Sequence, residues 1–384
     1  MITRQRIVSY GIPTAAAATI VAAALLTHGS SDTHSLVGEV PTPVNGTIPS
    51  YSTTGKHQID VVFAVDTTGS MGGLLQGAKQ TVWSIASHIR KTDPNADLRI
   101  GLVAYRDVGD EYVTRPFQLS GDLDAVFAEL STYQPAGGGD TPEDVDAAID
   151  DGLKMQWRKG AKKLMFVVGD APPASRGEVP KYDDLAEQAA ERGIIINTIR
   201  CGWDTDTEQA FSRLARLGKG SFSTIHQDGG VQQVATPYDD KIAELSTEID
   251  RTAVIVGDDS TRERWEGKMA AASAAPAPAK ADRASYYGKG GGMKRAEEDL
   301  VGGVATGSMD LDKVDQGSLP ADMRGKDKAE VKAEIEARVA KRKELQKKVD
   351  ELTKQRDEYL AKEAKSGEGG FDTAVKSTVE AQLK

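Results

Sequence analysis

Two periodicities alternate through the middle of the chain. Ile59 to Val65 is a short apolar run ending at Asp66, and Leu98–Tyr105, Lys163–Gly169 and Ile194–Arg200 are built the same way. Such runs read as strands buried on both faces. Between them lie stripes with helical spacing. Met71 to Lys91 places Leu74, Leu75, Ala78, Val82, Ile85, Ala86 and Ile89 on one face. Further helices are predicted over Leu123–Tyr133, from Pro142 as a first-turn proline to about Trp157, over Asp183–Arg192 with Gly193 just past its end, and over Thr207–Leu217 and Asp239–Thr252. Tyr112–Leu119 fits a more exposed strand and Ser221–Ile225 a short one. Strands separated by helices of ten to twenty residues predict an α/β fold: a doubly wound, mostly parallel sheet with helices on both faces, Rossmann-like in plan.

On either side the pattern breaks. Residues 1–29 carry Arg4 and Arg6, an Ala-rich apolar run from Gly11 to Leu26, then small and polar residues, the parts of a secretory signal peptide or of a signal-anchor that stays. Thr27-His28-Gly29 is the candidate cleavage site. The run is short for a bilayer span, and no Cys follows it to carry a lipid. An extracytoplasmic location (secreted, periplasmic or cell-surface) is expected, with membrane contact only through an uncleaved anchor. Residues 30–55 read as a Ser/Thr/Pro/Gly-rich linker and 56–256 as the domain. Residues 257–326 read as a low-complexity tether, with Tyr286-Tyr287 and Asp299-Leu300-Val301 as islands suited to docking. Within 327–384 a charged helix from Lys328 to Lys365 carries a broken heptad seam: Val331, Ile335, Arg338, Arg342, Leu345, Val349, Leu352, Arg356, Tyr359 and Glu363. It suits an amphipathic helix packed on its own domain or on the helix after Phe371. A self-associating coiled coil, hence a homo-oligomer, and contact with lipid head groups are the alternatives.

Charge sharpens this division. The chain has 384 residues and a net charge of −10. Residues 56–256 hold 21 basic and 31 acidic residues, whereas the rest holds 27 of each. An acidic balance argues against a nucleic-acid partner. Aromatics at 5% are lean for a single core of this length, consistent with extensions outside it. Cys201, the one cysteine, excludes an intramolecular disulfide framework and a cysteine zinc site, and reads as a small residue buried at a strand end.

Candidate chemistry gathers at the C-terminal ends of the predicted strands, where doubly wound sheets bind ligands. Asp66, Thr68 and Ser70 alternate directly after the first strand, with Gly69 for the bend, so that one carboxylate and two hydroxyls can converge. The plain alternative is Ser70 capping the next helix. Asp140 and Thr141 sit in the loop Gly137-Gly138-Gly139-Asp140-Thr141-Pro142-Glu143, where Asp140 also suits a helix cap. Asp170 ends another strand. Hard oxygen donors of this kind suit Mg²⁺, with Ca²⁺ or Mn²⁺ as substitutes. Arg106 and Asp107 suit a structural ion pair, or contacts behind the site or with a partner. Glu143, Asp144, Asp146, Asp150 and Asp151 read as a solvated helix face favoured by the helix dipole.

These blocks, IDVVFAVDTTGSM, VAYRD, GGGDTPE and VVGDA, together resemble the von Willebrand factor A domain with its metal-ion-dependent adhesion site, over about Ile59 to Thr252. Thr68 stands where the family usually has serine and keeps the hydroxyl. The resemblance implies that Asp66, Thr68, Ser70, Asp170 and either Asp140 or Thr141 serve a metal, with Arg106, Asp107 and Glu143 as outer or partner contacts. It also implies a binding module, not an enzyme, in which an Asp or Glu of a partner protein completes the metal's coordination, for adhesion or envelope assembly. A competing reading comes from a looser similarity to haloacid-dehalogenase-type phosphohydrolases, with Asp66 as a magnesium-assisted nucleophile.

Overall fold

The computed structural model describes residues 57–139, 141–231, 233–289, 293–363 and 369–384. The expected signal segment and linker lie outside the described residues, as does Asp140. Six strands form one sheet in the order β3-β2-β1-β4-β5-β6. They are β1 (His57–Asp66), β2 (Ala96–Tyr105), β3 (Thr114–Ser120), β4 (Lys162–Gly169), β5 (Ile194–Cys201) and β6 (Lys219–Ile225). All neighbours pair in parallel except β2 and β3. β3 lies at the edge and holds Pro116, whose missing N–H an edge strand tolerates.

β1 explains why the apolar runs are unbroken. It pairs with β2 on one side and β4 on the other, so both its faces are covered. Val61, Phe63 and Val65 point into one apolar layer with α1 (Gly72–Thr92) and α2 (Leu123–Thr132). Val62 and Ala64 point into the other, with α3 (Val145–Leu153), α4 (Tyr182–Glu191) and α5 (Thr205–Leu217). From β1 the chain moves outward to β2 and β3, then crosses back to β4 on the opposite side. The switch point therefore falls between the C-terminal ends of β1 and β4. α6 (Asp239–Arg251) follows β6.

Residues 257–326, expected as a tether, fold instead into α7 (Asp259–Ala274), α8 (Ala277–Lys289), α9 (Leu300–Thr306) and the short α10 (Ala321–Arg324). Large apolar residues are few here because alanine and paired charge do the packing. Ala279, Ala281 and Ala284 are buried where α8 meets α1 and α6. Arg283 of α8 reaches Asp124 of α2 at 2.6 Å and Asp250 of α6 at 2.7 Å. Burial pushes Asp124 up, but the Arg283 charge and its hydrogen bonds outweigh that and hold it below the usual carboxylate range. The islands Tyr286 and Leu300-Val301 are buried as anticipated.

α11 (Lys328–Glu363) lies along α6, α8 and α9, so its seam is occupied within the chain. Two of the seam arginines are buried in ion pairs. Arg342 bonds Asp299, the Thr252 hydroxyl at 2.7 Å and the Met293 carbonyl at 2.6 Å. Arg356 bonds Asp239 at 2.6 Å and Asp282 at 2.7 Å. Arg338 stays half-exposed and pairs with Glu334 one turn away. α12 (Phe371–Leu383) then packs on α1 and β6, with Phe371 against Phe63 at 6.1 Å between ring centroids. No helix among the described residues is long and apolar enough to cross a membrane.

Candidate metal centre

Asp66 is the last residue of β1 and is fully buried. The turn that follows folds back on it: the Thr68 N–H and hydroxyl both donate to Asp66 Oδ1, at 2.8 and 2.7 Å. Asp66 Oδ2, also buried, has no hydrogen-bond partner. Burial, with the neighbouring Asp170 carboxylate adding to it, raises this carboxyl to about 7 against the opposing bonds from Thr68. The Ser70 hydroxyl stands 3.4 Å from that of Thr68. Ser70 is exposed, and the helix start at Met71 has no side-chain cap, so the plain capping role is not taken up.

Asp170 follows β4 directly, across the switch point. Its Oδ2 accepts a hydrogen bond from Gln227 Nε2 at 2.5 Å, and its carbonyl accepts from the Thr207 hydroxyl at 3.2 Å. Beneath both carboxylates runs Tyr105, the last residue of β2. Its hydroxyl donates to the Val168 carbonyl at 3.1 Å. Gly169 makes room for it, since a Cβ there would fall 2.3 Å from the Tyr105 hydroxyl oxygen. Burial, then the Asp66 and Asp170 charges, push the Tyr105 phenol well above its ordinary value, so it stays a donor.

The glycine-rich loop is tied to the first turn. Gly69 N–H donates to the Gly137 carbonyl at 3.3 Å, and Ala136 N–H to the Thr67 carbonyl at 3.1 Å. Gly137 and Gly138 both have positive φ. A Cβ on Gly138 would lie 2.9 Å from Thr68 Cβ and 3.3 Å from Glu143 Oε1, so this backbone forms a wall of the crevice that only glycine fits. Thr141 is exposed in the same loop and makes no hydrogen bond among the described residues. Asp140, the alternative in this loop, lies outside the described residues.

Helix α3 starts later than anticipated. Glu143 is held extended by a bridge to Pro173, donating to the Pro172 carbonyl at 3.1 Å and accepting from Ala174 N–H at 2.7 Å. The cap is Asp144, which accepts from Ala147 N–H at 3.0 Å, and Pro142 lies ahead of the helix. The acidic run is thus not a solvated face. Glu143, Asp144 and Asp146 are buried because this strand-like clip and α4 cover them. Asp146 accepts from Tyr182 N–H at 2.9 Å, yet burial still raises it to about 6.

Arg106 and Asp107 do not pair with each other. Arg106 donates to the Thr67 carbonyl at 3.2 Å and the Gln134 carbonyl at 2.8 Å, bracing the first turn from behind with its guanidinium 4.3 Å from the Tyr112 ring centroid. Asp107 takes both arms of Arg176, tying the loop after β2 to the loop after β4.

The structure therefore gathers Asp66, Thr68, Ser70 and Asp170 at one crevice, with Glu143 in its wall. Sequence reading missed Tyr105 and Gln227. Tyr105 lies in a quoted block beside Arg106 and Asp107, and the sequence gives it no role of its own. Gln227 sits in a turn, and nothing in its spacing announces a partner 57 residues earlier in the chain. Among the described residues, no three His, Cys, Asp or Glu side chains are placed to hold a metal by themselves. Any cation here would depend on the two hydroxyls as well. The donors fit one: a buried orphan carboxylate oxygen beside a second carboxylate is what an absent positive charge would leave, and an all-oxygen set suits a hard ion.

Residues 60–237, just under half of the chain, match the family model described as von Willebrand factor A domain. An α-protein kinase of Dictyostelium discoideum is 28% identical over 116 residues, which is 30% of this chain and 18% of that protein. An ariadne-like RING finger protein of Acanthamoeba polyphaga mimivirus is 30% identical over 195 residues, 46% of this chain and 19% of that protein. The match thus spans under a fifth of the length of either relative. Among solved structures, proximal thread matrix protein 1 of the mussel byssus, with a zinc-occupied MIDAS motif, is 17% identical, covers 45% of this chain and 43% of that one, and has a TM-score of 0.36. The family match and the six-stranded, mostly parallel sheet support a von Willebrand factor A domain.

Proposed function

We propose that the chain is a protein-binding module, not an enzyme, whose crevice between the ends of β1 and β4 holds a divalent cation, Mg²⁺ by preference and Ca²⁺ or Mn²⁺ as substitutes, and so captures an Asp or Glu of a partner protein. When bound, the ion would supply an electrophilic coordination position for that carboxylate. Asp66, Thr68, Ser70 and Asp170, with Thr141 or Asp140, would hold it. Thr68 fixes Asp66 by its Oδ1 and leaves Oδ2 without a partner, Tyr105 supports the floor, and Gly138 closes one wall. The observation that carries the reading is the buried, unpartnered Asp66 Oδ2.

The glycine-rich loop favours binding over the phosphohydrolase alternative. Its backbone is tied to the turn after Asp66 through Gly137 and Ala136, and Gly138 packs against Thr68. The phosphohydrolase reading gives this loop no part. The signal-like residues 1–29 support action outside the cytoplasm, in adhesion or envelope assembly. The test is capture from envelope extracts on the full chain with Mg²⁺, with EDTA, and with Asp66→Ala, alongside turnover of an aryl phosphate. Partner capture lost with EDTA and with the variant supports the reading. Capture indifferent to both, or turnover that disappears with Asp66→Asn, would sink it.

A further inference from the structure

Trp203 is 70% exposed, an unusual position for the largest apolar side chain. It lies in the turn between β5 and α5, at the same end of the sheet as the candidate metal centre. Val108 and Val234, the other large exposed hydrophobics among the described residues, lie in the segments that follow β2 and β6. The link to the crevice is short. Gly202, at φ 79°, packs so closely on Gln227 that a Cβ would fall 2.3 Å from Gln227 Oε1, and Gln227 is the residue bonded to Asp170.

The indole is held, not loose. Arg200 stands 5.8 Å from its ring centroid and His226 meets it edge-on at 6.2 Å. Arg200 is itself fixed by Glu208 at 2.7 Å and the Asp204 carbonyl at 2.7 Å. In the residues that follow Trp203, Asp204, Asp206 and Glu208 all reach solvent. Glu208 is paired with Arg200 and the Asp204 carboxylate caps α5 through Thr207, but three acids against the one Arg200 leave this turn negative, which suits a cation on the open part of the ring more than a hydrocarbon. The domain as a whole has the same bias, with 31 acidic against 21 basic residues over 56–256. A partner that was acidic throughout would be repelled before it reached the crevice.

We infer that Trp203 is the anchor of a second contact beside the candidate metal centre, and that it takes an Arg or Lys side chain of the partner. The partner segment then combines one carboxylate for the crevice with a basic side chain for Trp203, on a surface that is basic overall. This rests on the proposed metal-bridged reading for its carboxylate half. The Trp203 half stands on exposure, ring geometry and charge alone.

The test uses the full chain and a panel of eight-residue peptides with one central Asp in a Ser background. Arg, Lys, Leu, Phe or Glu is placed in turn at every other position, and binding is measured in Mg²⁺. At the best-placed position the Arg peptide should bind about tenfold more tightly than its Leu and Glu counterparts, as expected for a partly desolvated cation–π contact. Trp203→Ala should remove that advantage while leaving the thermal midpoint unchanged, because the side chain is exposed, and Trp203→Phe should keep part of it. A Leu or Phe preference, an Arg preference that survives Trp203→Ala, or equal binding of all Asp peptides overturns the inference. An Arg preference that is lost with Trp203→Ala but indifferent to EDTA and Asp66→Asn leaves Trp203 standing and removes the metal bridge. Failure of every peptide counts against both.

Discussion

Arg342 and Asp299 form an ion pair in which neither side chain has any exposed surface. Arg342 falls on the broken heptad seam of α11, and Asp299 in a docking island of a stretch whose composition suggests a tether. Removing one partner should be far worse than removing both, because a lone buried charge is left behind. Arg342→Met should cost about 3–5 kcal/mol. Arg342→Met with Asp299→Asn should recover a good part of that, read by denaturant unfolding of the singles and the double.

Divalent cation should stabilise the chain through Asp66. At a concentration about 100 times its dissociation constant, Mg²⁺ should add about 2.7 kcal/mol, visible as a higher thermal midpoint reversed by EDTA. Asp66→Asn should abolish this response. A response retained in the variant would place the ion elsewhere.

Gly138→Ala should separate binding from folding. The new methyl would press on Thr68 Cβ from 2.9 Å in a backbone conformation that alanine resists. Thr68 is the residue that orients Asp66, so cation affinity should fall by at least tenfold. The stability loss should be confined to the ~1 kcal/mol scale of a strained residue. Calorimetric titration with Mn²⁺ and thermal unfolding in EDTA would show the two effects apart.

Asp146 should make the fold weaker as pH rises. Burial lifts its pKa to about 6 in the folded state, above the unfolded value of 3.8. The folded chain then holds more protons between those values, so this residue's contribution to stability declines from about pH 4 to pH 6 and stays low above. Asp146→Asn can still accept the Tyr182 N–H bond. It should therefore stabilise the chain by about 1–2 kcal/mol at pH 7 and by nothing near pH 4. A gain that is the same at both pH values would refute the assignment.

Much of the sheet was legible because burial on both faces forces unbroken apolar runs, as in Val61 to Val65. The turn after β1 was legible as a cluster of oxygen donors because Asp66, Thr68 and Ser70 fall together within five residues. The sequence could not show that Glu143 would be held extended by a bridge to Pro173, which moves the start of α3 to Val145, capped by Asp144, with Glu143, Asp144 and Asp146 buried. Nor could it show the helical layer over 257–326. Counting large apolar residues detects cores made of leucine and phenylalanine, and this one is made of Ala279, Ala281 and Ala284 with Arg283 between two aspartates. Long-range partners such as Gln227 and Asp170 leave no spacing to read.

α12 carries a consequence for how the chain acquires its shape. Phe371 rests on Phe63 of the central strand and donates its N–H to the Gly229 carbonyl at 2.8 Å. Gln382 and Asn197 exchange two side-chain hydrogen bonds, at 3.1 and 2.7 Å. One face of the sheet is therefore finished by residues far downstream of the strands themselves. During synthesis that face must wait, open, while the intervening helices emerge, and closing so distant a contact is slow. The stretch that matches a family and the stretch that folds as a unit are two different lengths of this polypeptide.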